Sequence, residues 1–182
     1  MKQQLYDIGS AAVAGAGRAH LLSWFYLPTM NIIHASPLQL SDAQLLLGEY
    51  FEAINVTKRD TPEEIAAFLS DATSALWIVY VDDVPAACVV LRPLPSVALA
   101  VECKRLYVRP RFRGQGLADP LLDAMEAKAA AGGARWVYLD SKDDLKGALH
   151  IYSRRGYQTC ERYNDNPQAT IFMRKALPPI TI

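Results

Sequence analysis

The spacing of apolar positions changes several times along the chain, and each change marks an element. Residues 31–35 read as a short strand. Ser41 and Asp42 then form an N-cap pair opening a helix through residue 56, with Leu45, Leu46, Tyr50, Phe51 and Ile54 near helical spacing. Thr61 caps a second helix; Pro62 takes its first position, Glu64 completes a capping-box spacing, and Ile65, Phe68 and Leu69 form its apolar face. The period then shortens. Residues 76–81 and 85–91 are β-branched and apolar runs separated by Asp82 and Asp83, which predicts an antiparallel hairpin. Residues 97–108 form a long strand, set off by Pro93 and Pro95, that runs into a Gly- and Arg-rich turn. A helix carried by Leu117, Leu121, Leu122 and Met125 follows and stops at Gly132 and Gly133. A buried strand over 136–139, an amphipathic helix over 145–155 ended by Gly156, and strands around 158–162 and 170–174 complete the chain. The order β α α β β β α β α β β predicts an α/β (α+β) domain: a mixed central sheet of about six to seven strands with helices on both faces.

Length and composition agree with one such domain. The 182 residues, 51% of them apolar, suffice for one substantial core. The domain is expected over 30–177, with an extension over 1–29 and a tail over 178–182. The extension has small residues from Ser10 to Gly17 and an apolar stretch from Leu21 to Leu27, but Arg18 and His20 break the uninterrupted apolar core that a secretory leader needs. It is also too short and broken to span a bilayer. It reads either as a packed helical extension, with Trp24, Phe25 and Tyr26 covering apolar surface, or as residues upstream of a start at Met30. Lys plus Arg and Asp plus Glu both number 19, so no global field collects nucleic acid or acidic membrane. Cys88, Cys103 and Cys160 are odd in number and lack metal spacing, which fits reduced thiols in a cytoplasmic protein. His20, His34 and His150 are scattered, and no cluster has metal-ligand spacing, so no metal is expected.

The chemistry concentrates in residues 106–118, LYVRPRFRGQGLA. A strand ends at Val108, Pro110 breaks it, and Gly114 and Gly116 allow close backbone approach just before a helix N-terminus. Unpaired N–H groups and the positive end of the helix dipole make such a turn an anion site suited to a pyrophosphate. Arg109, Arg111 and Arg113 add charge, and Lys104 and Arg105 extend the cluster into the strand. Pro120 falls in the first helical turn, where its missing N–H has no intrahelical partner to lose. A Walker loop needs GxxxxGK[ST] and a dinucleotide fingerprint needs GxGxxG; neither is present.

The R-x-x-G-x-G/A pattern between a strand and a helix resembles the coenzyme A pyrophosphate loop of the GNAT (GCN5-related N-acetyltransferase) superfamily. A second segment, ALHIYSRRGY with Ala148, Tyr152, Gly156 and Tyr157, is similar to the A-x-x-x-Y-x-x-x-G-[FY] segment of the same enzymes. The resemblance spans roughly residues 30–177 and includes the element order. It implies an acyl-CoA-dependent N-acyltransferase, with acetyl-CoA as acyl donor, a primary amine as acceptor and direct attack on the thioester. By the same resemblance the Leu106 amide polarises the thioester carbonyl, Val108 binds the pantetheine arm from the strand it shares with Tyr107, and Arg111, Arg113, Gly114, Gln115, Gly116, Leu117 and Ala118 surround the pyrophosphate. Ala118 stands where many relatives carry glycine; its amide remains available.

Two side chains are candidates for proton transfer. Strand alternation predicts that Glu102 shares a face with Leu106 about 13 Å away, which matches the place of a general-base glutamate in some relatives. A partly buried carboxylate of raised pKa there would relay the amine proton through water; the alternative is an ion pair with Lys104 or another cation. Tyr152 is the candidate acid for the departing thiolate, the alternative being an interior tyrosine. Alternation turns Cys103 to the opposite face from Glu102, as a buried thiol rather than a nucleophile. Tyr163, Asn164, Asp165, Asn166 and Pro167 form a polar turn where relatives often line the acceptor site, Asp165 being suited to a cationic amine; such a run is otherwise a plain hairpin connection. A non-catalytic acyl-CoA-binding module is the competing reading, and the joint presence of Glu102 and Tyr152 favours the enzyme. The acyl chain length and the amine are left open. No nucleic acid or membrane partner is expected, and a homodimer is compatible with the sequence without an interface signature.

Overall fold

The computed structural model describes residues 28–57 and 59–178. The readings made for residues 1–27, including the helical extension and His20, Trp24, Phe25 and Tyr26, lie outside the described residues, as do residues 179–182 of the tail.

Seven strands form one sheet in the order β1-β2-β3-β4-β5-β7-β6. They are β1 (Met30–His34), β2 (Ala75–Val81), β3 (Val84–Pro93), β4 (Ala100–Val108), β5 (Trp136–Ser141), β6 (Gln158–Thr159) and β7 (Ile171–Ala176). Every neighbouring pair is antiparallel except β4 and β5. Helices α1 (Leu40–Ala53) and α2 (Pro62–Leu69) cover one face, where Leu46, Leu47, Phe51 and Ile65 pack on Leu76, Ile78, Cys88 and Val90. Helices α3 (Ala118–Ala131) and α4 (Lys146–Arg154) cover the other, where Leu121, Leu122, Met125 and Tyr152 meet Val79, Val89, Cys103 and Val137. The mixed α/β sheet with helices on both faces is therefore as the periodicity implies.

Local chemistry accounts for most boundaries. Thr61 accepts from the Glu64 amide at 3.2 Å while Glu64 accepts from the Thr61 amide at 2.8 Å, the reciprocal box read from the sequence. Asp82 and Asp83 both have positive φ, 49° and 61°, as a two-residue hairpin turn of the primed type requires. The first helix differs from expectation. Its entry is a Ser36–Gln39 capping box with Pro37 leading a 3₁₀ turn into Leu40, so Ser41 and Asp42 are already helical. Asp42 instead accepts from the Tyr80 hydroxyl at 2.6 Å. The strand expected from residue 97 begins at Ala100, because Leu94–Val97 closes a turn and Leu99 has φ 54°. The strand expected over 158–162 stops at Thr159. Beyond it the chain leaves the sheet edge and crosses the face carrying α1, where Gln168 accepts from Thr57 and donates to the Asn55 carbonyl.

Strand β4 contains the irregularity that matters most. Val90 pairs with Lys104 but Cys88 pairs with Tyr107, so β4 carries one extra residue, and Arg105 in its middle has φ 53°. This bulge reverses the alternation. Upstream, Val101 and Cys103 face α3, whereas downstream Leu106 and Val108 do; Glu102 and Tyr107 face the α1 side. The expectation that Glu102 and Leu106 share a face is thus overturned, because strict period-2 counting fails across an inserted residue.

Burial of phenols gives the fold a defined alkaline limit. Burial is the leading cause that pushes the Tyr50 hydroxyl up to about 12, those of Tyr157 and Tyr163 higher still, and that of Tyr152 well above the ordinary phenol range. An unfolded chain releases these protons near pH 10 and the folded chain later, so above that pH the unfolded state binds fewer protons. Stability is then full below pH 10 and falls as pH rises, by up to about 1.4 kcal/mol per pH unit for each such tyrosine. The urea midpoint is expected to be flat from pH 8 to 9.5 and to drop steeply by pH 11; a midpoint unchanged at pH 11 would contradict it.

Candidate active site

The site begins where β4 and β5 separate. They pair only at Ala100–Trp136, Val101–Val137 and Glu102–Tyr138, yet β4 runs on to Val108 and β5 to Ser141. Arg109 donates its amide to the Ala86 carbonyl on β3. Successive amides of a strand point to opposite edges, so the Val108 N–H points away from β3, into the gap left by β5.

Beyond the gap, Pro110–Phe112 forms a single 3₁₀ turn and α3 starts at Ala118. Gly114 and Gly116 have φ of 75° and 76°, and a Cβ at either would meet nothing within 4 Å, so backbone conformation rather than crowding demands glycine. Gly116→Val would force a β-branched residue into a conformation costing about 1–2 kcal/mol, which the loop relieves by turning its amides away. With the loop in the CoA pyrophosphate role that its resemblance implies, CoA binding by calorimetry is expected to weaken about tenfold, and Gly116→Asn, which tolerates this conformation, should lose less.

Not all the arginines read as loop charge serve there. Arg113 donates Nε to the Val108 carbonyl at 3.1 Å, tying the loop to the end of β4, and Arg111 lies exposed over the Phe112 ring. Gln115 reaches the Arg111 carbonyl at 3.4 Å. Arg109, by contrast, is held by Glu49 at 2.6 and 2.9 Å and by the Pro85 carbonyl. Lys104 and Arg105 face the α1 side and do not extend the loop cluster. Asp119, an acid in the first turn of α3, is drawn sideways by Arg154 and Arg155, whose bonds hold its carboxyl below the usual range. Leu117 and Ala118 are buried at the helix start, and the Tyr107 side chain lies in the α1-side core with its hydroxyl 3.3 Å from Glu49, so only its main chain fronts the gap.

Tyr152, on α4, is buried against the α3 side of the sheet, its ring 5.5 Å from that of Tyr157. Its hydroxyl lies beside the Cys103 thiol, which burial pushes up to about 12, well outside the range of a nucleophilic thiolate.

On the opposite face lies a polar cluster that the sequence shows only in pieces. Glu102 Oε1 accepts from the Tyr163 hydroxyl at 2.7 Å and from Asn164 Nδ2 at 3.1 Å, and lies 2.9 Å from Lys104 Nζ. Lys104 Nζ also meets Asp140 at 2.7 Å, and Asn164 and Asn166 donate to the other Asp140 oxygen at 3.1 and 2.8 Å. Burial pushes the Asp140 carboxyl up, but Lys104 and the two amides outweigh it and hold it below the usual range. Of the two readings of Glu102, the ion pair with Lys104 is observed, and the pair lies at the last β4–β5 register position, beside the gap. Asp140 was missed by the sequence analysis; its parity with Tyr138 on β5, opposite Val137 and Leu139, is the signal that finds it. The turn residues Asn164 and Asn166 reach inward, whereas Asp165 is exposed. Among the described residues no group of three or more His, Cys, Asp or Glu could hold a metal, and no helix is long and apolar enough to cross a membrane.

A split parallel pair, a glycine loop at a helix N-terminus and a carboxylate cluster across the sheet are one arrangement, and the sequence model described as "Acetyltransferase (GNAT) family" matches residues 42–157. The chain belongs to the GNAT acetyltransferase family. An uncharacterized N-acetyltransferase of Schizosaccharomyces pombe is 29% identical over 145 residues, covering 76% of this chain and 88% of that protein. A GNAT-family acetyltransferase from Staphylococcus aureus Mu50 superposes with a TM-score of 0.69 at 16% identity, covering 82% of this chain and 100% of that one. The PaiA N-acetyltransferase of Thermoplasma acidophilum, solved in complex with coenzyme A, does so with a TM-score of 0.67 at 14% identity over 81% of this chain and 99% of that one. At such identities the GNAT neighbours establish the fold.

Proposed function

We propose that residues 30–177 form a GNAT domain that transfers an acetyl group from acetyl-CoA to a primary amine by direct attack, without a covalent enzyme intermediate. The parting of β4 from β5 after Glu102–Tyr138 carries this reading, because it leaves an opening through the sheet with the glycine loop on one side and the carboxylate cluster on the other. Acetyl-CoA supplies the activated acyl carbonyl. The loop suits its pyrophosphate: amides of residues 113–118 at the start of α3 and the exposed Arg111 and Arg113 offer donors and charge. The Leu106 and Val108 amides serve the thioester carbonyl and the pantetheine arm, so oxyanion stabilisation comes from the main chain. Glu102, directly or through water, accepts the proton the ammonium must lose before its nitrogen attacks. Tyr152 donates its O–H toward the sulfur as the C–S bond breaks. Three free cysteines, two of them buried, suit a cytoplasmic setting.

The test is release of free thiol from acetyl-CoA against a panel of amines, amino acids and peptides. Turnover with at least one amine is expected; binding of CoA with no thiol above background for any acceptor would overturn the enzyme reading in favour of a binding module.

A further inference from the structure

The α1-side face carries two guanidinium groups that protein partners leave incompletely bonded. Arg92 on β3 and Arg105 at the β4 bulge share one carboxylate, Asp60 Oδ2; Arg92 Nη2 lies 3.5 Å from it and Arg105 Nη2 closer. Arg92 Nε and Arg105 Nη1 are buried without a hydrogen-bond partner. A buried unsatisfied donor is costly, more so on a charged group, and two such donors on neighbouring cations are an unusual expense for a structural ion pair. Aromatic rings fix both planes, with Phe68 5.1 Å from Arg92 and Phe51 5.6 Å from Arg105. Burial and the nearby Arg92 charge both lower the Arg105 pKa, as expected of cations sharing too little negative charge.

The pair is placed relative to the polar cluster by strand register. Arg92 is the direct partner of Glu102 across β3 and β4, so the two side chains leave the same face from Cβ atoms about 5 Å apart. Among the described residues they form no ion pair with each other: Arg92 turns to Asp60, whereas Glu102 turns to Tyr163, Asn164 and Lys104. Opposite charges that stand side by side and turn apart present, over a few ångströms, a place for a carboxylate and a place for an ammonium. Guanidinium is also the group best matched to a carboxylate, through paired N–H donors.

We propose that the acceptor is a small zwitterion with the chemistry of an α-amino acid, its carboxylate held by Arg92 and Arg105 and its ammonium received by Glu102. This rests on the N-acyltransferase reading and narrows it.

Acceptor KM is measured by thiol release for the standard α-amino acids, their α-carboxamides and their decarboxylated amines; binding to the CoA-loaded protein is measured separately by thermal shift, with inorganic phosphate as an anion lacking an amine. At least one amino acid should have a KM about 10–100-fold below that of its carboxamide, the value of one or two charge-assisted hydrogen bonds. Arg92→Gln, at a partly exposed position, should erase that preference by raising the amino-acid KM to that of the carboxamide. Asp60→Asn, which removes the competing carboxylate, should lower the amino-acid KM, an effect that a purely structural ion pair would not produce. Carboxamides or decarboxylated amines matching the amino acids, or a preference surviving Arg92→Gln, would overturn the proposal. If no compound releases thiol, the transfer reading fails and binding alone decides. Stabilisation by an amino acid beyond its carboxamide, lost in Arg92→Gln, would still support the site, and equal shifts, or phosphate as effective as the amino acids, would overturn it.

Discussion

Tyr152→Phe is expected to lower kcat about 100-fold, the lower end of what a positioned proton donor contributes, with little change in KM for acetyl-CoA. The hydroxyl sits in the α3-side core beside the Cys103 thiol, and burial holds its pKa far above the usual phenol range. On the proposed reading, a proton bound that firmly is not surrendered ahead of C–S cleavage but is shared with the sulfur as negative charge develops there. The loss in the variant should therefore be nearly constant from pH 6.5 to 9, because wild-type Tyr152 remains protonated throughout. Single-turnover measurement of thiol release separates this step from product release. A variant within about threefold of wild type would reduce Tyr152 to a packing residue, since a positioned proton donor is worth far more than that.

Glu102→Gln is expected to cost about 100- to 1,000-fold in kcat/KM for the amine. The amide keeps an oxygen to accept from Tyr163 and Asn164, so the cluster retains its shape, but it can neither take the ammonium proton nor match the Lys104 charge. The Glu102–Lys104–Asp140 triad carries a formal charge of −1, which an incoming ammonium neutralises; Glu102→Gln leaves the triad neutral and unreceptive. Asp140→Asn is the companion measurement. It removes the same charge without touching the proposed base, so amine KM should rise while kcat falls much less. Equal kcat losses in both variants would assign the effect to the charge of the triad and not to Glu102 as base.

The fold was legible because its punctuation is local. The Thr61–Glu64 box, the Asp82–Asp83 turn and the glycine loop before α3 each follow from residues within a few positions of one another. What escaped depends on long-range pairing. The Arg105 bulge has no local signature, since its backbone is an arginine in a conformation that glycine or asparagine adopts more readily, and only the β3 register reveals it. Asp140 falls just past the strand expected over 136–139 and gains its place only from the chain beyond Thr159, which brings Asn164 and Asn166 against it. Arg109 counted as loop charge until Glu49, 60 residues away in sequence, was seen to hold it.

The parting of β4 from β5 makes the sheet a partition with a doorway, and the bulge at Arg105 decides which side chains of β4 face each side of it. On the proposed reading, donor recognition is confined to the room roofed by α3 and α4, and acceptor recognition to the room bounded by α1, α2 and the segment after Thr159. Strand β4 is their common wall, furnishing Cys103, Leu106 and Val108 to one side and Glu102, Lys104 and Arg105 to the other. Substitutions on the acceptor side can therefore retune which amine is modified while the thioester chemistry stays intact. A single-residue deletion within β4 would instead swap the furnishings of the two rooms along half the strand, so lineages of this architecture should exclude insertions and deletions from residues 102–108.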